Sequence, residues 1–187
     1  MPDILNGEKN SMHKLPMEAI NIIITGPESS GKTTLAESLS QSLQLPLIPE
    51  YAREYLLALD RKYTLDDVLH IGKQQMQTFS QKENTKAIIY DTDILTTIIW
   101  LQDKFNYIDS AFNDFWNKES NCIYLLCKPE FIWEDDPLRE DEGRRDVLFE
   151  IYKSHLITAD KKFFEISGNQ MQRIQYATEI IRNCISL

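Results

Sequence analysis

Eight residues, Gly26–Thr33 (GPESSGKT), constrain this chain more than any other stretch, because they fit the phosphate-loop pattern GxxxxGK[ST]. The glycines let the backbone wrap closely, so that successive N–H groups point at a β-phosphate while Lys32 reaches the β- and γ-phosphates. Thr33 is then placed to hold a magnesium ion. The pattern predicts a site for the phosphates of ATP or GTP, with Gly26, Glu28, Ser29, Ser30, Gly31, Lys32, Thr33 and Thr34 as its nucleotide-binding residues. The alternative is a glycine turn without a ligand. Context favours the site: Ala19 to Thr25 is a β-branched run suited to a buried parallel strand, and Leu35, Leu39 and Leu43 follow at helical spacing. A helix starting there aims its positive dipole end at the phosphate.

Further apolar runs at Leu45 to Ile48, Ala87 to Tyr90, Cys122 to Cys127 and Phe163 to Ile166 bring the strands to five, separated by helical stretches. The alternation predicts an α/β chain, a five-stranded parallel sheet with helices on both faces. Thr64 reads as an N-cap, with Asp66 and Asp67 in the first turn of a helix ending near Lys86. Other helices are expected over Ile94 to Lys104, Ala111 to Lys118, Arg145 to Thr158 and Gln170 to Ile185. At 187 residues the chain suits one domain over about 19–187, after a loose tail at 1–18.

Composition narrows the partners. A net charge of -9 argues against nucleic acid and anionic membranes, which reward a basic surface. Cys122, Cys127 and Cys184 are too few for a disulfide framework and have no zinc-type spacing with His13, His70 or His155. No signal peptide or membrane-length apolar run is visible, so a cytoplasmic protein is expected. The oligomeric state is left open, a homo-oligomer included.

In open parallel sheets ligands sit beyond the carboxyl ends of the strands, which directs attention to the carboxylates found there. Asp91 ends an apolar strand and suits magnesium, directly or through water. Asp93 starts a helix and reads equally as a cap or a substrate contact. Glu50 ends the second predicted strand, where a γ-phosphate should lie, and is the leading candidate for the base that takes a proton from an acceptor hydroxyl. Its competing reading is a salt bridge with Arg53. An aspartate of the DTD stretch at Asp91 to Asp93 is the other candidate base. Asp135 to Arg145 (DDPLREDEGRR) reads as a mobile lid whose Arg139, Arg144 and Arg145 close over the transferring phosphate, or else as a solvated charged loop. Trp133 either stacks on a ring or packs the loop base.

Together GPESSGKTT, PEYAREY, DTD followed by ILTT, and Trp133 with DPLRE resemble the ribosylnicotinamide kinase domain of the NadR family, from about Ile20 to the last helix. The resemblance implies a P-loop small-molecule kinase, standing alone, that uses ATP and magnesium to convert nicotinamide riboside to nicotinamide mononucleotide. It implies that Lys32 and Thr33 serve ATP and magnesium, and that Glu50, Tyr51, Arg53, Asp91 and Asp93 line the riboside side. It further implies that the arginines after Trp133 form the lid, and that Ser167, Gly168 and Asn169 lie near the adenine. Full-length NadR proteins also carry a DNA-binding segment and an adenylyltransferase domain, whose HxGH-type motif has no counterpart here. Some relatives have an aromatic residue where this chain has Pro49, and an acid where it has Lys128 and Pro129. Two rivals remain, a kinase for another nucleoside or small alcohol and a regulatory ATPase or nucleotide switch. A GTPase is disfavoured, because NKES at Asn117 to Ser120 lacks the carboxylate of a guanine-reading [NT]KxD motif.

Overall fold

A computed structural model describes residues 19–79, 85–134 and 136–185. The expected tail at 1–18 and position 135 of the expected lid lie outside the described residues. The five strands are β1 (Ile20–Thr25), β2 (Leu47–Ile48), β3 (Ala87–Asp91), β4 (Cys122–Cys127) and β5 (Phe163–Ile166). They form one parallel sheet in the order β2-β3-β1-β4-β5. Alternate side chains of each strand feed opposite cores, as a strand covered on both faces requires. Ile23 joins Tyr90, Tyr124 and Leu126 on one face, whereas Ile22 and Ile24 join Ile89, Ile123 and Leu125 on the other.

The helices are α1 (Lys32–Leu43), α2 (Tyr51–Leu57), α3 (Leu65–Phe79), α4 (Ile94–Phe105), α5 (Ser110–Lys118), α6 (Arg145–Thr158) and α7 (Gln170–Ile185). Residues of α1 and α7 cover one face of the sheet; those of α3, α4, α5 and α6 cover the other. Among the described residues no helix is long and apolar enough to cross a membrane.

Three elements differ from the sequence reading. The second strand starts at Leu47 and not Leu45, because Pro46 has no N–H for the ladder; its carbonyl still accepts from Ile89 N at 2.9 Å. Helix α3 does not run to Lys86, since Thr85 and Lys86 already bend into β3. The seven-residue α2 is not among the helices expected from the sequence, because it is too short to show a helical period. The cap at Thr64 works through Asp67, whose carboxylate accepts from both Thr64 N and Thr64 Oγ1 at 2.7 Å and from Arg61 Nη1 at 2.6 Å. These bonds, with that of Arg61 foremost, hold the Asp67 carboxyl well below its ordinary range. The three cysteines are free.

Candidate active site

The segments that follow β1, β2 and β4, together with α4, enclose a cavity of about 700 Å³; Asp91, at the end of β3, lies outside its lining. The floor of the cavity is the phosphate loop between β1 and α1. Gly26 has φ 134 and passes so close to β4 that a Cβ would lie 2.7 Å from the Cys127 carbonyl oxygen. Gly31, at φ 78, would bring a Cβ within 2.6 Å of the Phe131 ring. Both glycines are therefore steric requirements of the loop. The Lys32 ammonium donates to Pro27 O at 2.7 Å, and Ser30 Oγ donates to the same carbonyl at 2.8 Å.

Thr33 Oγ1 donates to Asp91 Oδ2 at 2.7 Å, joining the start of α1 to the end of β3. The other oxygen, Asp91 Oδ1, is buried and has no hydrogen-bond partner among the described residues. Burial raises the Asp91 carboxyl above its ordinary value, with Thr33 and Lys32 pulling the other way. A hard cation suits this pair, since both offer oxygen and one acceptor is unspent. Among the described residues no group of three or more His, Cys, Asp or Glu could hold a metal by itself. The remaining ligands would come from phosphate oxygens and water.

Glu50 sits at the N-cap of α2 and lines the cavity. Its carboxylate enters no hydrogen bond or ion pair recorded among the described residues; Arg53 bonds instead to Asp136, 2.8 Å away. The expected alternative, a Glu50 to Arg53 salt bridge, is thus not formed. Burial pushes the Glu50 carboxyl up, while Lys32 pulls it down and Asp91 pushes it up further. Glu50 is therefore in electrical contact with the loop and with β3.

The segment after β4 packs across the phosphate loop. Glu28 Oε2 accepts from Glu140 N at 2.9 Å and from Asp141 N at 3.3 Å, whereas Ser29 O accepts from Arg145 Nη1 at 3.3 Å. Arg139 lines the cavity, donating to Glu134 O at 2.7 Å and reaching Ser29 Oγ at 3.5 Å. Arg144 turns away to Asp103 at 2.9 Å and Asp141 at 3.1 Å.

Several expected site residues do not line the cavity. Tyr51 places its hydroxyl 3.2 Å from His70 Nε2, and Trp133 lies 5.6 Å beneath the Arg145 guanidinium. Gly168 donates its N–H to Glu130 Oε2 at 2.6 Å. Asp93 departs furthest from its expected catalytic and substrate-binding role. It is buried below α4, where its Oδ1 accepts from Leu95 N at 3.3 Å and its Oδ2 from the Tyr124 hydroxyl at 3.0 Å. Of its two readings, the helix cap is the one formed.

Burial raises Asp93 from 3.8 to about 7, and the bonds from Tyr124 and Leu95 offset only part of that rise. The folded state therefore binds the extra proton, and the stability so contributed is present at acid pH and lost as pH rises through about 7. Wild type should lose about 2–3 kcal/mol of unfolding free energy through this group between pH 5 and pH 8. Asp93→Asn should flatten that slope in urea unfolding measured at the two pH values. An unchanged slope would show that Asp93 is not the group responsible.

Two features of the site were not anticipated. Arg173 of α7 is only 2% exposed. It donates to Gly168 O at 2.7 Å, Ser30 O at 2.9 Å and Lys128 O at 2.9 Å, pairs with Glu130 at 3.0 Å, and stacks 4.4 Å from the Phe131 ring centre. One guanidinium thus ties the phosphate loop to the loops after β4 and β5. Its sequence signal is register, since Arg173 falls on the same helical stripe as buried Ala177, Ile180 and Ile181. The second feature is an aromatic wall of Tyr63 and Trp100, which line the cavity with ring centres 4.9 Å apart.

Residues 21–173 match the family described as AAA domain. Among solved structures, NadR protein in complex with NR is similar over 90% of this chain and 52% of that one, at 22% identity and a TM-score of 0.76. NadR with NAD and AMP-PNP is similar over 90% and 50%, at 19% identity and a TM-score of 0.71. The chain therefore spans about half the length of these NadR structures. Deoxyadenosine kinase from M. mycoides is similar over 88% of this chain and all of its own, at 16% identity and a TM-score of 0.64. No curated protein sequence matches. With a strand, phosphate loop and helix at one end of the match and Arg173 at the other, the chain belongs to the AAA domain family, on the P-loop fold it shares with nucleoside and nucleotide kinases.

Proposed function

We propose that this protein transfers the γ-phosphoryl group of ATP to the ribose 5′-hydroxyl of nicotinamide riboside, giving nicotinamide mononucleotide and ADP. The observation that carries the proposal is Glu50, a carboxylate without a recorded hydrogen bond or ion pair among the described residues, on the wall of a cavity whose floor is the phosphate loop. A carboxylate near the acceptor hydroxyl is the one piece of acid–base chemistry that phosphoryl transfer to an alcohol calls for. The likeness in fold to NadR in complex with NR supports the choice of acceptor.

In this reading the loop N–H groups hold the β-phosphate, and Lys32 exchanges Pro27 O for phosphate oxygens. Glu50 takes the proton of the 5′-hydroxyl as the new O–P bond forms and the bond to the departing ADP breaks. A raised proton affinity suits it to that task. Thr33 and Asp91 would hold magnesium, which when bound neutralises charge on the β- and γ-phosphates. Residues 136–145 act as the lid, with Arg139 facing the transferring group and Arg144 bracing the lid through Asp103 and Asp141. Arg53, held by Asp136, flanks the acceptor side. The described chain forms one kinase domain.

A deoxynucleoside is the second acceptor reading, favoured by the full-length coverage of the M. mycoides deoxyadenosine kinase. Acceptor-dependent ADP release with ATP and magnesium separates the readings. Nicotinamide riboside should stimulate release and yield the mononucleotide. Conversion of deoxyadenosine alone would move the assignment to the second reading, and ATP hydrolysis indifferent to every riboside would move it to a regulatory ATPase.

A further inference from the structure

The aromatic wall of the cavity, Tyr63 with Trp100, is joined to the phosphate loop by three hydrogen bonds in series. Trp100 Nε1 donates to the Tyr63 hydroxyl at 3.3 Å, and that hydroxyl donates to Glu140 Oε2 at 2.9 Å. The backbone N–H of Glu140 then donates to Glu28 Oε2, within the phosphate loop, at 2.9 Å. The direction of the series is fixed by chemistry. An indole N–H only donates, a carboxylate only accepts, and the single hydroxyl proton of Tyr63 is committed to Glu140. Tyr63 also meets the Trp100 ring edge-on at 69°, a favourable aromatic geometry that restricts the indole further.

The charge around this wall is unbalanced. Lys104 lies 3.0 Å from Asp141, 3.6 Å from Glu140 and 3.7 Å from Asp103, and Arg144 is bound to two of the same carboxylates. Three carboxylates thus share two cations. A net negative rim beside an indole favours a flat ring carrying positive charge, because the face of tryptophan attracts cations and the rim adds to the attraction.

We infer that Trp100 is the surface on which the acceptor's ring packs, and that Tyr63 and Glu140 are positioning residues that hold this surface in register with the phosphate loop. The inference rests on the kinase reading and deepens it. The ring class it selects is a cationic heteroaromatic such as a pyridinium, in preference to a neutral base. Trp133, the tryptophan nearer the charged segment in sequence, takes no part, since it does not line the cavity.

Steady-state kinetics and tryptophan emission test this together. Trp100→Leu should raise the acceptor KM about tenfold or more while the KM for ATP stays within about twofold, the pattern of a lost acceptor contact. Tyr63→Phe keeps the ring and removes both hydrogen bonds, so it should raise acceptor KM about threefold to tenfold. Glu140→Leu should reproduce Tyr63→Phe, and Glu140→Gln, which retains an acceptor oxygen, should recover most of the loss. Nicotinamide riboside should quench tryptophan emission in wild type and in Trp133→Phe, and not in Trp100→Leu. If Trp100→Leu folds and leaves acceptor KM within about twofold of wild type, the inference is overturned while the kinase reading stands. If Trp100→Leu does not fold, Tyr63→Phe decides, and an acceptor KM that is unchanged or moves together with the ATP KM overturns the inference. A wild-type protein that phosphorylates no riboside removes the kinase reading and this inference with it.

Discussion

Lys32→Ala is expected to lower kcat by about 10²–10³-fold with little change in melting temperature. The loss is large because the ammonium meets phosphate oxygens whose charge shifts during transfer, so its contribution grows toward the transition state. The small cost to stability follows from its surroundings. Lys32 is half-buried, and among the described residues its ammonium donates to Pro27 O within its own loop. Acceptor-dependent ADP release measures the first effect and thermal unfolding the second. Turnover equal to wild type would remove the phosphate loop from the chemistry.

Glu50→Gln is expected to lower kcat by about 10²–10⁴-fold while ATP affinity holds within about twofold. The substitution keeps size and polarity and removes only the capacity to take a proton. The structural alternative read from the sequence, a salt bridge to Arg53, is not formed, because Arg53 is bound to Asp136. The pH profile supplies an independent reading. Burial raises the Glu50 carboxyl above its ordinary value, and a base works only when deprotonated, so kcat/KM of wild type should fall as pH drops through that raised value. The residual activity of Glu50→Gln should lack this acid limb. Equal loss of turnover and ATP affinity, with the limb retained, would exclude Glu50 as the base.

The candidate site was legible to very different degrees. Thr33 and Asp91 were each singled out by a local signal, one by the loop spacing and the other by the end of an apolar strand. Their 2.7 Å contact follows from the parallel pairing of β1 with β3. Asp93 carried a local signal too, but an ambiguous one. A helix cap and a ligand contact both need a carboxylate at the start of a helix, and only packing against Tyr124 separates them. The arginines of residues 139–145 were indistinguishable by charge. Their partners lie elsewhere in the chain, and these send Arg139 into the cavity, Arg144 to Asp103 and Arg145 to Ser29 and Phe131. Trp100 was hidden inside the apolar pattern of α4, where a tryptophan reads as core.

By itself the sequence determined the five strands, the phosphate loop and most helix bounds, because each is set by interactions within a few residues: loop spacing, burial of both strand faces and capping. Tertiary structure alone decided which polar and aromatic groups meet. Tyr63 and Glu140 are 77 residues apart, and Arg173 and Ser30 are 143 apart. Such contacts carry no local periodicity, since they exist only after the sheet brings the strand ends to one edge and the helices turn their side chains into the same cavity.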